Sequence, residues 1–345
     1  DMTISDIAKL SGVSVATVSR VINNKGYVKD ETRKKIEAVI EENGYRPNAV
    51  ARSLTRNDTS MIAVIMSNRL NPFFANVLDA IEEQAAMQGY SILFFNTSED
   101  KERERNAVAQ AMEHRVSGIL LLPVIEPDIR TEELLWNAEE SGIPVVLIDR
   151  DFQEGDFDIV LIDNKKVVYD GVELLIESGH RDIGIITCPE VVKKGRTRLE
   201  GYIQCLKDHG LEIRDEYIYP GDFDEKSGYQ ACEAFQRLDN PPTAVLATCS
   251  SCTLGCIRFM NEHNLLPGKD LGLVGFDDIS LLNSIGYELT VMDRPMQEMG
   301  EIAFGLLTDR MKGPAAKKRR REVMLRTRLI IRGSEKRQGV QEAVL

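Results

Sequence analysis

From Met61 onward the sequence keeps one rhythm: short apolar runs bounded by turn residues, most of them followed by a stretch of helical period. The runs "MIAVIMS", "YSILFFN", "SGILLLP", "PVVLIDR", "FDIVLID", "DIGIITC", "EYIYPG", "TAVLATC", "LGLVGFD" and "LTVMD" read as ten strands. Amphipathic segments such as "FFANVLDAIEEQAAMQG", "KKVVYDGVELLIESG" and "RTRLEGYIQCLKDHG" fill most gaps. Strands alternating with helices require parallel sheets covered by helices on both faces, because a parallel crossover is long and usually helical. Ten strands crowd one twisted sheet. The expected fold is therefore two doubly wound subdomains, with ligands favouring the cleft outside the strand carboxyl ends.

The first sixty residues have a different grammar. Thr3, with Asp6 three residues on, caps a helix through "ISDIAKLSG", which Gly12 ends. Ser14 caps a second, "VATVSRVINN", and a third runs from Asp30 to Gly44. Three residues between two short helices is helix-turn-helix spacing. In that motif the second helix lies in the major groove with its N-terminal side chains at base edges. Val15, Ala16 and Arg20 are then the base-facing candidates, Arg20 for a guanine and the two apolar residues for a thymine methyl. Ser14, Thr17, Ser19 and Asn23 suit phosphates. A small three-helix bundle with no ligand would show the same pattern. Charge divides the same way: residues 1–60 carry 10 Lys+Arg and 8 Asp+Glu, the remainder 33 and 47, within a chain of net charge −12. A mildly basic head on an acidic body fits a DNA-contacting module joined to something else.

Other classes fit less well. No apolar run approaches the ~18 residues of a membrane span. The mixed, charged start does not resemble a secretory signal, so a cytoplasmic, nucleoid-associated protein is expected, with no membrane partner. The missing signal and the head together count against a solute-binding protein. No phosphate loop, H-E-x-x-H or nucleophile–base pair is present, and His114, His180, His209 and His263 are scattered, which counts against a sugar-processing enzyme. His180, at a helix–strand junction, reads as packing. No cofactor and no metal is expected.

The stretch "TISDIAKLSGVSVATVSRVIN" resembles the headpiece of the LacI/GalR (lac, gal and purine repressor) family of bacterial transcription regulators. "YRPNAVARSL" is similar to that family's hinge helix. "NPFFANVLDAIEEQAAMQGY", "GDFDEKSGY", "LGLVGFDD", "RPMQEMGEIAFGLL" and "LRTRLIIRGS" resemble its core, so the likeness spans essentially the whole chain. It implies an all-α helix-turn-helix headpiece at 1–46, a hinge helix and linker at 47–60, and a periplasmic-binding-protein-like α/β core at 61–340. The core would divide into an N-subdomain (about 61–161 and 292–322) and a C-subdomain (about 162–291 and 323–340). It also implies a homodimer on a pseudo-palindromic operator, controlled by a small-molecule effector. The DNA-contacting set extends to Thr3, Tyr45, Asn48, Ala49, Arg52 and Leu54. Leu54 would wedge between base steps in the minor groove, in a hinge too short to be a stable helix alone. The implied effector contacts are Phe73, Phe74, Asp149, Arg198, Phe223 and Asp277. An activator or global regulator with a neutral sugar or a protein corepressor is the alternative within the family.

Two departures bear on the effector. Where the family usually has Asn-Asp, this chain has Cys249-Ser250, inside "LATCSSCTLGC". Cys249, Cys252 and Cys256 admit a metal site, a redox role, or helix packing with an altered pocket. A zinc site needs about four ligands, and no further cysteine is near in sequence, which favours packing. Arg294 stands where glutamine is frequent. With Arg198 and Arg150 it gives the cleft two or three guanidiniums, and arginine suits carboxylate and phosphate. An anionic effector, a sugar acid or sugar phosphate, is the expectation. The alternative is that Arg294 pairs with Asp149 or Asp277 and the effector is a neutral sugar.

Overall fold

A computed structural model describes residues 2–22, 26–45, 59–67, 71–126, 128–152, 155–189, 193–312 and 319–337. The chain forms two compact units that part between Thr59 and Ser60. In the first, α1 (Ile4–Ser11) begins at a complete capping box: Thr3 accepts from the Asp6 amide, and the Asp6 side chain accepts from the Thr3 amide. Gly12 ends it at φ 67°, a left-handed position that glycine occupies without strain. Ser14 Oγ accepts from the Thr17 amide at 3.2 Å and starts α2 (Val15–Ile22). With α3 (Asp30–Glu42) these helices bury Ile7, Ala8, Val18, Val21 and Ile36 together.

The second unit holds two six-stranded sheets. The first contains β1 (Met61–Met66), β2 (Ser91–Asn96), β3 (Gly118–Leu121), β4 (Val145–Ile148), β5 (Asp158–Ile162) and β11 (Glu322–Leu325), in the order β11-β5-β4-β3-β1-β2. The second contains β6 (Ile183–Ile186), β7 (Ile218–Tyr219), β8 (Ala244–Ala247), β9 (Gly272–Phe276), β10 (Thr290–Asp293) and β12 (Arg328–Ile330), in the order β12-β10-β9-β8-β6-β7. Every pairing is parallel except β10 with β12. Strands such as Val145–Ile148 and Ala244–Ala247 are buried throughout, which is why they read as unbroken apolar runs rather than alternating ones.

The chain passes between the sheets three times: after β5, after β10, and between β11 and β12. These crossings lie one to three residues beyond the expected boundaries. Ile162 is still in β5, Met292 and Asp293 are in β10, and Val323–Leu325 are in β11. In each case the ladder hydrogen bonds carry the strand on to its last paired residue before the chain turns away. Helices α7 (Asn164–Glu177) and α12 (Met296–Met311) follow the first two crossings and cover the second and first sheet respectively.

Candidate functional site

In each sheet the strand order reverses between the first strand and the third, the arrangement that opens a crevice at the carboxyl ends. Three of the predicted effector residues, Asp149, Asp277 and Arg294, stand at those ends. Asp149 follows β4 and Asp277 follows β9, each left-handed, at φ 63° and 66°. Aspartate is among the few side chains that adopt this conformation readily. Their amides still close the ladders, onto Val160 O and Met292 O, both at 2.9 Å. The two sheets thus present equivalent buried carboxylates to one cleft.

Arg294, just past β10, joins them. Its Nε and Nη2 donate to both Asp277 oxygens at 2.7 Å, and Nη1 reaches Asp149 Oδ1 at 3.5 Å. The guanidinium carbon lies 3.6 Å from the centroid of Phe73. Ser250 Oγ donates to Asp277 Oδ2 at 2.5 Å. Arg294 is therefore committed to the pairing that was the alternative to anion recognition. Arg150 is likewise engaged: it forks onto Glu99, with both contacts 3.0 Å, and donates to Pro123 O at 2.7 Å.

Arg198 differs. It is buried on α8 (Lys193–Asp208) and meets neutral groups: Asn164 Oδ1 at 2.8 Å, Thr248 O at 2.5 Å and Cys188 Sγ at 3.7 Å. Its carbon stands 4.3 Å from the centroid of Phe276. Nη2 has no hydrogen-bond partner among the described residues.

Lys194 went unnoticed in the sequence, although it sits four residues before Arg198 and so on the same helix face. Its Nζ donates to Asp149 Oδ2 at 2.6 Å and lies 5.0 Å from the Phe223 centroid. Burial pushes Asp149 up, but Lys194, Arg294 and Arg150 outweigh it and hold the carboxyl far below the usual range. Burial pushes Lys194 down to about 8; Asp149 opposes this, while Arg150, Arg198 and Arg294 reinforce it. The cluster contains Arg150, Lys194, Arg198 and Arg294 against Glu99, Asp149 and Asp277, one positive charge in surplus.

A cavity of about 540 Å³ opens beside this cluster. Asp149, Arg150 and Lys194 line it, with Lys165, Lys193, Arg196 and Arg320 adding cations and Asp151, Asp163 and Glu322 adding carboxylates. Phe223, left-handed at φ 55°, stands over Lys194 and Arg150. Phe74 does not join: it faces a separate small cavity with Met66, Leu78 and Phe94. Cys249 caps α10 (Ser250–Glu262), where its sulfur accepts from the Cys252 amide at 3.2 Å. Cys252 and Cys256 are wholly buried in the apolar cluster of the second sheet, as packing requires. No group of three or more metal-ligating side chains occurs among the described residues. His180 bonds Thr243 and Glu335 O, a packing role.

In the first unit, Ser14, Val15, Ala16 and Arg20 are exposed along α2, while Thr17 and Ser19 are half-buried. Thr3 is exposed and its hydroxyl is held by Asp6 at 2.6 Å. Tyr45 packs against the helical core. Asn23, Asn48, Ala49, Arg52 and Leu54 lie outside the described residues.

Two family models account for nearly all of the chain. Residues 3–48 match the model of bacterial regulatory proteins, lacI family, and residues 59–332 that of periplasmic binding proteins and sugar binding domain of the LacI family. The chain belongs to the LacI family. It is 35% identical over 311 residues to the transcriptional repressor PurR of Serratia proteamaculans, covering 90% of each chain. It is 34% identical to catabolite control protein A of Priestia megaterium, covering 90% of this chain and 93% of that one. The lac repressor dimer bound to operator and the anti-inducer ONPF superposes with a TM-score of 0.84 at 25% identity, covering 97% of this chain and 99% of that one. This LacI-family protein is accordingly a DNA-binding transcriptional regulator with an effector-binding core; such relatives are repressors, not enzymes. No helix among its described residues is long and apolar enough to cross a membrane.

Proposed function

We propose that the protein is a homodimeric repressor of a pseudo-palindromic operator, and that its effector is a small hydroxylated molecule with one anionic group. The supporting observation is the surplus positive charge of the cleft, which rests on Arg198. Among the described residues that guanidinium meets no carboxylate and leaves Nη2 unused, whereas Arg150, Lys194 and Arg294 are all ion-paired. The adjoining cavity, with Lys194 in its wall, has room for a sugar-sized ligand. Phe73, Phe223, Asp149 and Asp277 supply aromatic faces and hydroxyl acceptors; Cys249 supplies a thiol where the family has an amide. Arg294 orients Asp277 rather than receiving the anion, and Phe74 supports Phe73 from behind, their rings 5.3 Å apart.

On the DNA side, Arg20, Val15 and Ala16 read bases from the exposed face of α2. Ser14, Thr17, Ser19, Asn23, Thr3, Tyr45, Asn48, Ala49 and Arg52 hold the backbone, and Leu54 wedges the minor groove. A thermal-shift panel of sugars, sugar acids, sugar phosphates and purines tests the effector class, since ligand raises stability once its concentration exceeds Kd. A sugar acid or phosphate stabilises the protein and loses its effect on Lys194→Gln. Stabilisation by neutral sugars alone overturns the anion and favours the second reading. That reading draws support from the saturated Arg294–Asp277 pair and from the similarity (27% identity, TM-score 0.70) to the regulator CelR in its cellobiose complex, which covers 97% of this chain. Loss of operator binding on Leu54→Ala tests the wedge.

A further inference from the structure

The stretch Cys249-Ser250-Ser251-Cys252 combines features that packing alone does not require. Cys249 is the extended N-cap of α10, at φ −155° and ψ 158°, which turns its side chain back over the first helical turn. Cys252 is three residues on. A disulfide needs Cβ atoms about 3.5–4.5 Å apart, a separation that the extended cap and the first helical turn reach with a small shift of Cys249. The Cys249 sulfur already accepts from the Cys252 amide at 3.2 Å, which holds it over the turn that carries Cys252. Their surroundings are opposite. Cys252 is sealed in the apolar cluster at 0% exposure; Cys249 retains 6% and lies within electrostatic reach of Arg198, Arg294 and Asp277 in the cleft. Burial raises the Cys249 thiol, but the hydrogen bonds from Cys252 and the Arg198 charge bring it below its ordinary value, while Cys252 is held well above. A helix N-terminus, a nearby cation and a Cys-X-X-Cys spacing are the settings in which a thiol becomes nucleophilic.

We propose that Cys249 and Cys252 are a redox pair, oxidised to a disulfide by small disulfides that enter the effector cleft. The Cys249 thiolate, its proton released to water, attacks one sulfur of RSSR. A mixed disulfide forms and RS⁻ leaves. Cys252 then loses its proton and attacks Cys249 Sγ, expelling the second RS⁻. The two thiolates take up the two protons, so one dithiol and one disulfide become one disulfide and two thiols. Cys249 is the attacking residue because it alone of the pair retains any accessible surface; Cys252 resolves. The bridge withdraws the sulfur from the Cys252 amide and clamps the first turn of α10, which carries Ser250, whose hydroxyl holds Asp277. That consequence for the cleft rests on the effector assignment; the thiol chemistry does not.

The test uses the full chain in its folded state, treated with hydroxyethyl disulfide, acid-quenched, alkylated and digested without reduction. Trypsin releases residues 238–258 as one peptide containing Cys249, Cys252 and Cys256. In this peptide only one cysteine is then alkylated, the other two having lost their two hydrogens to a bridge, and fragmentation places the bond between Cys249 and Cys252. The bridge persists in Cys256→Ser and is lost in Cys249→Ser, which keeps a capping side chain. In Cys252→Ala a mixed disulfide accumulates on Cys249. Circular dichroism checks that the variants are folded, and the wild-type map decides by itself if they are not. A bond to Cys188 or to Cys256 overturns the pair, as does a protein whose thiols react only after unfolding. No ligand is needed, so failure here is separate from failure of the thermal-shift panel.

Discussion

Arg294 shows how far one guanidinium is legible. Its position beside the cleft followed from the sequence, which left a free cation and a pair with Asp149 or Asp277 both open; the choice of Asp277 did not follow, because it depends on an aspartate 17 positions away whose direction is fixed by a left-handed backbone. Removing one member of a buried ion pair leaves the other charge uncompensated, at a cost of about 3–5 kcal/mol. Arg294→Gln is therefore expected to lower the urea midpoint markedly, and Asp277→Asn in the same background to recover part of the loss. Lys194 makes a second test. Because its folded value is about 8, it is protonated below that pH and neutral above. The affinity of an anionic effector falls as pH rises through 8; calorimetric titration at pH 7 and pH 9 measures the fall. Glu99, the partner of Arg150, gave no sequence signal: the two are 51 positions apart and only the folded loops bring them together.

Within single elements the same contrast holds. All ten strands read from apolar runs are present, since burial on both faces writes itself into the composition of most; β2 and β7, which are less buried, still show as short apolar and aromatic runs. The helix α11 (Ser280–Ser284) had no such imprint: it is one short turn with Leu281 exposed. The cysteine stretch owes its shape to a neighbour. Gly228 on α9 (Glu225–Gln236) and Gly255 on α10 let these helices cross so closely that an added Cβ would stand 2.0 Å from Cys252 O or Glu225 O. Gly255→Ala is expected to force the helices apart and to lose about 1–3 kcal/mol, the usual range for overpacking, in denaturant unfolding. On α5 (Lys101–Glu113), burial pushes Glu104 up to about 7, against the Val124 amide that it accepts at 2.7 Å. An acid raised above its unfolded value of 4.5 binds more protons in the folded state between those two values. Stability therefore declines as pH rises from 4.5 to 7. Glu104→Gln, which keeps an acceptor for Val124, should flatten this profile and stabilise the protein above pH 7 by up to about 3 kcal/mol.

For the molecule as a whole, the division of charge matters more than its sum. The basic portion is the small unit, net +2 over residues 1–60, and the remainder carries −14. Electrostatic attraction to DNA then comes from few cations against a repelling body. The logarithm of operator affinity is expected to fall linearly with the logarithm of salt concentration, and a salt titration by fluorescence anisotropy measures the slope. Arg20→Ala should cost about 1–3 kcal/mol at its cognate base pair and relax specificity there. The three passages between the sheets carry a consequence of a mechanical kind. Two bodies joined by one strand can swing and twist in any direction. Each further tie deletes freedoms, so a pair sewn together three times retains little besides a jaw-like opening. Closing force applied anywhere in the cleft is channelled into that one movement, by the path of the chain itself rather than by any side chain a mutation could remove.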